Sequence, residues 1–89
     1  MLPAFTRSTQ NKKKYMVITP KGKTVHFGHT DYQQFKDSTG LGLYSHMDHH
    51  DKRRRQNYLR RSAGIRNAQG KLTANDPESA NYYARRYLW

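Results

Sequence analysis

β-prone apolar residues first gather in Tyr15-Met16-Val17-Ile18-Thr19, and again, alternating with polar ones, in Thr24-Val25-His26-Phe27. Successive side chains of a strand point to opposite faces, so Tyr15, Val17 and Thr19 share one face, as do Val25 and Phe27. Between the runs, Pro20-Lys21-Gly22-Lys23 joins a fixed φ to a residue that accepts positive φ, which is turn chemistry. The pattern predicts a β-hairpin ended by Gly28. Two strands alone are marginal in water, so one face must be covered.

The other clear periodicity is helical. Ala80, Tyr83, Ala84, Tyr87 and Leu88 recur on one face of a helix, announced by Asp76 as cap, Pro77 at the first helical position and Glu78 in the first turn. This stripe is expected to pack on the hairpin. A further helix is expected from about His49 to Ser62. Asp48 and Asp51 form a capping-box-like start, Asp48–Lys52 and Asp51–Arg55 give i,i+4 pairs, and Gly64 is the stop. Thr30-Asp31 predicts one or two helical turns carrying Tyr32 and Phe35. Ser38–Gly42 reads as a loop that lays Leu41, Leu43 and Tyr44 against the hairpin. Residues 1–13 have no period and read as an extended basic arm, with Leu2 and Phe5 as anchors on a neighbour. The expected architecture is a small α+β domain over residues 14–89: one hairpin packed by two or three short helices, preceded by the arm.

Composition changes this picture. Leu, Ile, Val and Phe supply only 13 of 89 residues, and the net charge is +11. That combination lies in the range of chains disordered in isolation. Seven tyrosines and a tryptophan add contact area, but the core is expected to be thin and completed by a partner. There is no cysteine, hence no disulfide framework and no thiolate metal site. No apolar run approaches the ~20 residues of a membrane span, and residues 1–14 lack a signal-peptide core. An intracellular setting, or a particle assembled there, is expected.

The excess charge points to acidic partners. Lys52, Arg53, Arg54, Arg55, Arg60 and Arg61, followed by Arg66, form the main basic block. Residues seven apart return to nearly the same helical angle, aligning Arg53 with Arg60 and Arg54 with Arg61 in two ridges. The guanidinium fork grips phosphate or carboxylate with two hydrogen bonds. Lys12, Lys13 and Lys14, with Arg85 and Arg86, complete the candidate polyanion or partner surface. Phe5, Tyr82 and Trp89 are candidate docking aromatics. Tyr82, Tyr83, Arg85, Arg86, Tyr87 and Trp89 interleave rings with bases as in single-strand platforms, although the helical spacing places Tyr83 and Tyr87 in the core. His46 and His50 stand four apart, a zinc-binding spacing on helices, with His26 or His29 as a third ligand. The plainer reading of these histidines is polar turn residues, and no metal or cofactor is expected. No Cys nucleophile, phosphate-binding glycine loop or serine elbow is present, so no enzymatic activity is expected. A metal-dependent nuclease is the remote alternative.

Several short motifs carry a resemblance: Lys23-Thr24-Val25-His26-Phe27-Gly28, then Tyr32 with Phe35-Lys36-Asp37-Ser38. They continue through Tyr44, His46, Asp48, Arg53, Arg54, Asn57, Tyr58, Arg60 and Arg61 to Arg86-Tyr87-Leu88-Trp89. Over residues 14–89 the chain resembles a family of small basic proteins encoded by large nucleocytoplasmic DNA viruses, whose members carry more tryptophan where Tyr82, Tyr83 and Tyr87 stand here. The resemblance implies a viral setting: the virion, or the host cytoplasm during assembly. The function it implies is a minor capsid or other structural component docked among virion proteins. Binding to a DNA or RNA backbone is the alternative.

Overall fold

The computed structural model describes residues 4–89. Three strands, β1 (Phe5–Arg7), β2 (Lys13–Ile18) and β3 (Thr24–His29), form an antiparallel meander with β2 in the middle. Two helices follow, α1 (Lys52–Ser62) and α2 (Ala80–Tyr87). The fold is a small α+β domain. Its radius of gyration is 12.5 Å, close to the roughly 12 Å typical of a compact domain of this length.

The hairpin forms where the alternation places it. Tyr15 pairs with Phe27 and Val17 with Val25, and all four side chains are buried. Gly22, at φ +83°, makes the tight turn, donating from its N–H to the Thr19 carbonyl at 2.8 Å. The stripe on α2 also packs as its spacing requires. Tyr83, Ala84 and Leu88 are buried in the same core, with Ala80 and Tyr87 against it.

The amino-terminal segment differs from an extended arm. Phe5 pairs with Val17 and Arg7 with Tyr15, adding a third strand to the sheet. Phe5 is buried, its ring 5.7 Å from Phe27 and 4.7 Å from Tyr87 in edge-on contacts. It is a core residue and not a docking aromatic. One phenylalanine on a three-residue strand suffices because β2 supplies the backbone partners. Leu2, the other proposed anchor, lies outside the described residues. With β1 in place the core holds eight buried apolar residues among those described.

The start of α1 is also corrected. Asp51 alone caps it, accepting from the N–H of Arg53 at 2.9 Å and of Arg54 at 3.2 Å. Asp48 sits outside the helix, because Gln34 Nε2 and the Asp37 N–H occupy its Oδ1 at 2.6 and 2.9 Å. Helix α2 begins at Ala80, capped by the Ser79 side chain. Before it, Asp76 caps a separate turn, and Glu78 accepts from Thr19 Oγ1 and from the Lys21 N–H across the hairpin.

No helix forms at Thr30–Phe35. That stretch is tied to residues 47–50 instead: Gln34 N–H to Met47 O at 3.3 Å, His49 N–H to Gln34 O at 2.9 Å, and His50 N–H to Phe35 O at 3.1 Å. No helix is long and apolar enough to cross a membrane among the described residues.

Candidate polyanion interface

Helix α1 is almost wholly polar, and only Ser62 is fully buried. Tyr58 and Leu59 are half-buried. The Tyr58 ring stacks on Trp89 at 4.2 Å with planes 8° apart. Two arginines hold the helix down. The Arg55 Nε donates to the Trp89 carbonyl at 2.8 Å, and its guanidinium lies 4.9 Å from the Phe35 ring centroid. From α2, the Arg85 Nη1 donates to Leu59 O at 2.6 Å and Ser62 Oγ at 2.7 Å. Leu59 O also accepts from the Ala63 N–H at 3.1 Å, so Arg85 adds a second donor to a carbonyl in the last turn of α1. Arg85 is therefore committed within the fold and drops out of the polyanion surface.

The remaining bases of α1 face solvent. Lys52, Arg53, Arg54, Arg60 and Arg61 are all exposed. Arg54, Arg60 and Arg61 converge with Asn57 and Trp89 on an open cleft of about 490 Å³. Among the described residues only Arg54 of this group has a side-chain partner, donating to Gln33 Oε1 at 2.9 Å.

No carboxylate neutralises them. Among the described residues no Lys or Arg lies within 4.0 Å of an Asp or Glu; the only close pairs are His29–Asp31 and His50–Asp48, each 3.9 Å. Neither i,i+4 pair expected for α1 forms. The acids are spent on other donors. Asp37 accepts from Tyr15 OH, from Thr39 and from the Tyr44 N–H. Asp48, Asp51, Asp76 and Glu78 serve the backbone and neutral groups described above. Asp31 stays exposed beside His29.

The other predicted bases divide. Lys12 is exposed in the β1–β2 turn at φ +65°. Lys13 lines a separate open cleft of about 750 Å³ with His26 and Asp76. Arg66 is exposed and donates to Gly70 O at 2.7 Å. Arg86 is exposed over the Tyr82 ring, 4.5 Å from its centroid, so Tyr82 is a partner within α2 and half-buried. Trp89 is half-buried too, its ring engaged by Tyr58 and, at 5.2 Å, by His49.

Lys14 is a correction. It is 1% exposed, and its Nζ donates to Tyr32 O at 2.7 Å and to Gln34 Oε1. Gly28, at φ +78°, leaves room for it, since a Cβ there would stand 3.1 Å from Lys14 Cβ and Cδ. Burial disfavours the ammonium and pulls the Lys14 pKa down to about 8, against the pull of Asp37 and Asp48. Burial, aided by the bond to Asp37, pushes Tyr15 up to about 12. Asp37 lies below its ordinary value: hydrogen bonds from Thr39 and Tyr15 outweigh its burial, the largest single influence.

These shifts have a signed consequence. Between about pH 8 and pH 10 the unfolded chain holds a proton on Lys14 that the folded chain has released, so stability rises with pH. Above about pH 10 the unfolded Tyr15 ionises first, and stability falls again. Urea unfolding should therefore give a maximum near pH 10. Lys14→Met should flatten the rising limb, whereas a wild-type curve falling from pH 8 to pH 10 would refute the assignment.

His46 and His50 do not share a helix face. His46 lies in a 3₁₀ turn (Ser45–Met47), and His50, at φ +54°, precedes the α1 cap. No group of three metal-ligating side chains is placed to hold an ion among the described residues. The His49 pKa lies below its ordinary value, first through burial and then through the Arg54 charge, against the pull of Asp51. The His49 Nδ1 accepts from the Asp51 N–H at 2.9 Å.

From residue 4 to residue 39 the chain matches DUF5754, a family of unknown function. The match covers the three strands and the Lys14–Gln34–Asp37 cluster, and ends before α1. No curated protein and no solved structure matches the chain.

Proposed function

We propose that this is a non-enzymatic binding protein whose α1 arginines take up the phosphate backbone of a nucleic acid. One observation carries the reading. Arg53, Arg54, Arg60 and Arg61 are exposed together on one helix, and among the described residues no Asp or Glu carboxylate stands within salt-bridge distance of them. A guanidinium matches phosphate oxygens with two parallel hydrogen bonds, and counterions released from the backbone supply the driving force. Contacts of this kind position a protein without reading bases. Anisotropy titration of a labelled duplex at low salt tests it. Saturable binding in the micromolar range that polyphosphate competes away is expected; no binding would refute it.

A second reading, a minor structural component of the particle of a large DNA virus, rests on the family resemblance. It is favoured by apolar side chains left at the surface, Leu41, Leu43, Ile65 and Leu72 among them. They offer contacts to neighbouring proteins. Detection at fixed copy number in purified particles supports this reading, and absence from particles ends it.

A further inference from the structure

A second cleft, of about 500 Å³, adjoins the arginine cleft and shares Arg54, Arg61 and Trp89 with it. Its remaining character is different. Tyr32, Tyr58 and Trp89 supply aromatic walls, and Gly28, Ala84 and Leu88 are small or apolar lining. The volume falls in the range of small-molecule sites, roughly 300–1,000 Å³. Tyr32 is 67% exposed, so its ring is accessible to a ligand. Its backbone is nevertheless fixed, because its carbonyl receives the buried Lys14 Nζ at 2.7 Å. His29 supports the ring from one side at 4.7 Å.

We infer that this cleft binds one unstacked nucleobase of a single strand whose phosphates lie on Arg54 and Arg61. The inference rests on the phosphate-binding reading and extends it from charge to ligand class. The two shared arginines are the geometric reason. A strand held by its phosphates on one side of them presents its bases to the aromatic cleft on the other. A duplex keeps its bases stacked and paired and leaves the cleft empty. Aromatic rings bind any base by its π-face, so selection is for single strands and not for sequence. Gly28 lines the cleft as bare backbone, and a Cβ there would stand 2.8 Å from Leu88 Cδ1 and 3.1 Å from Lys14.

Trp89 is the one tryptophan of the chain and lines both clefts, so its emission reports binding at either and Tyr32→Ala isolates the aromatic one. The full chain is titrated with a short oligothymidylate, a duplex of equal phosphate number, and inorganic polyphosphate. Oligothymidylate is expected to change Trp89 emission saturably and to bind about tenfold tighter than the other two. Tyr32→Ala removes that margin and leaves duplex binding unchanged, while Tyr32→Phe keeps it. Equal affinity and equal emission change for all three probes overturns the inference, as does a neutral Tyr32→Ala. In either case retained duplex binding shows that the phosphate reading survives. Loss of binding to every polyanion brings down both.

Discussion

Replacing Arg53, Arg54, Arg60 and Arg61 together by glutamate is expected to weaken duplex binding roughly a hundredfold or more, from the micromolar toward the millimolar range. The four exchanges remove eight units from a net charge of +11 and place carboxylates against phosphates. The fold should survive. All four side chains are exposed, and the one hydrogen bond lost is that of Arg54 to Gln33. Surface substitutions of this kind usually cost within about 0.5 kcal/mol each. Carboxylates at positions 60 and 61 add a few tenths against the helix dipole. Net charge alone must be separated from the arginine face. Reversal of Lys21, Lys23, Lys36 and Lys71, all exposed and none on α1, changes the charge equally. It should leave most of the binding intact. Equal losses in the two variants would show that the field of the whole protein, and not the α1 surface, governs association.

The largest effect on stability is expected at Gly28. Gly28→Ala forces a side chain into the left-handed region at φ +78°, at about 1–2 kcal/mol. It also drives a Cβ into buried Leu88 and Lys14, with an overpacking cost of about 1–3 kcal/mol. A domain of this size is stable by only about 5–10 kcal/mol. A drop in Tm of roughly 10–20 °C should follow. Gly22→Ala separates the two causes, because Gly22 has φ +83° with nothing within 4 Å of the added atom. Its cost is the backbone term alone, so the difference in Tm between the variants measures the crowding. Equal losses would mean that Lys14 and Leu88 yield freely.

The parts of the molecule legible in the sequence are those built by local periodicity. Tyr15, Val17, Val25 and Phe27 alternate, and Ala80, Tyr83, Ala84, Tyr87 and Leu88 recur at helical spacing; these positions make most of the core. The seven-residue spacing of Arg53 with Arg60 and Arg54 with Arg61 likewise identified the exposed ridges. What escaped depends on contacts distant in the chain. Strand β1 carries one apolar residue, and only its pairing with β2 turns Phe5 inward. The burial of Lys14 follows from the backbone of Gly28 and the side chain of Gln34, neither adjacent in sequence. Arg85 looks like any surface base until the end of α1 is placed beside it. The irregular 30–50 segment is held by side-chain and bridging bonds with no period to detect. Tyr32 was assigned to a helical turn, so the aromatic cleft had no sequence signal except a tyrosine among polar residues.

Salt dependence tests most directly whether fixed guanidinium groups on α1 are neutralised by phosphates. The logarithm of duplex affinity is plotted against the logarithm of salt concentration. If Arg53, Arg54, Arg60 and Arg61 each engage one phosphate, the slope is about −3.6, and replacing Arg53 and Arg60 by alanine brings it to about −1.8. A slope near zero, or one that the double replacement leaves unchanged, would contradict the account.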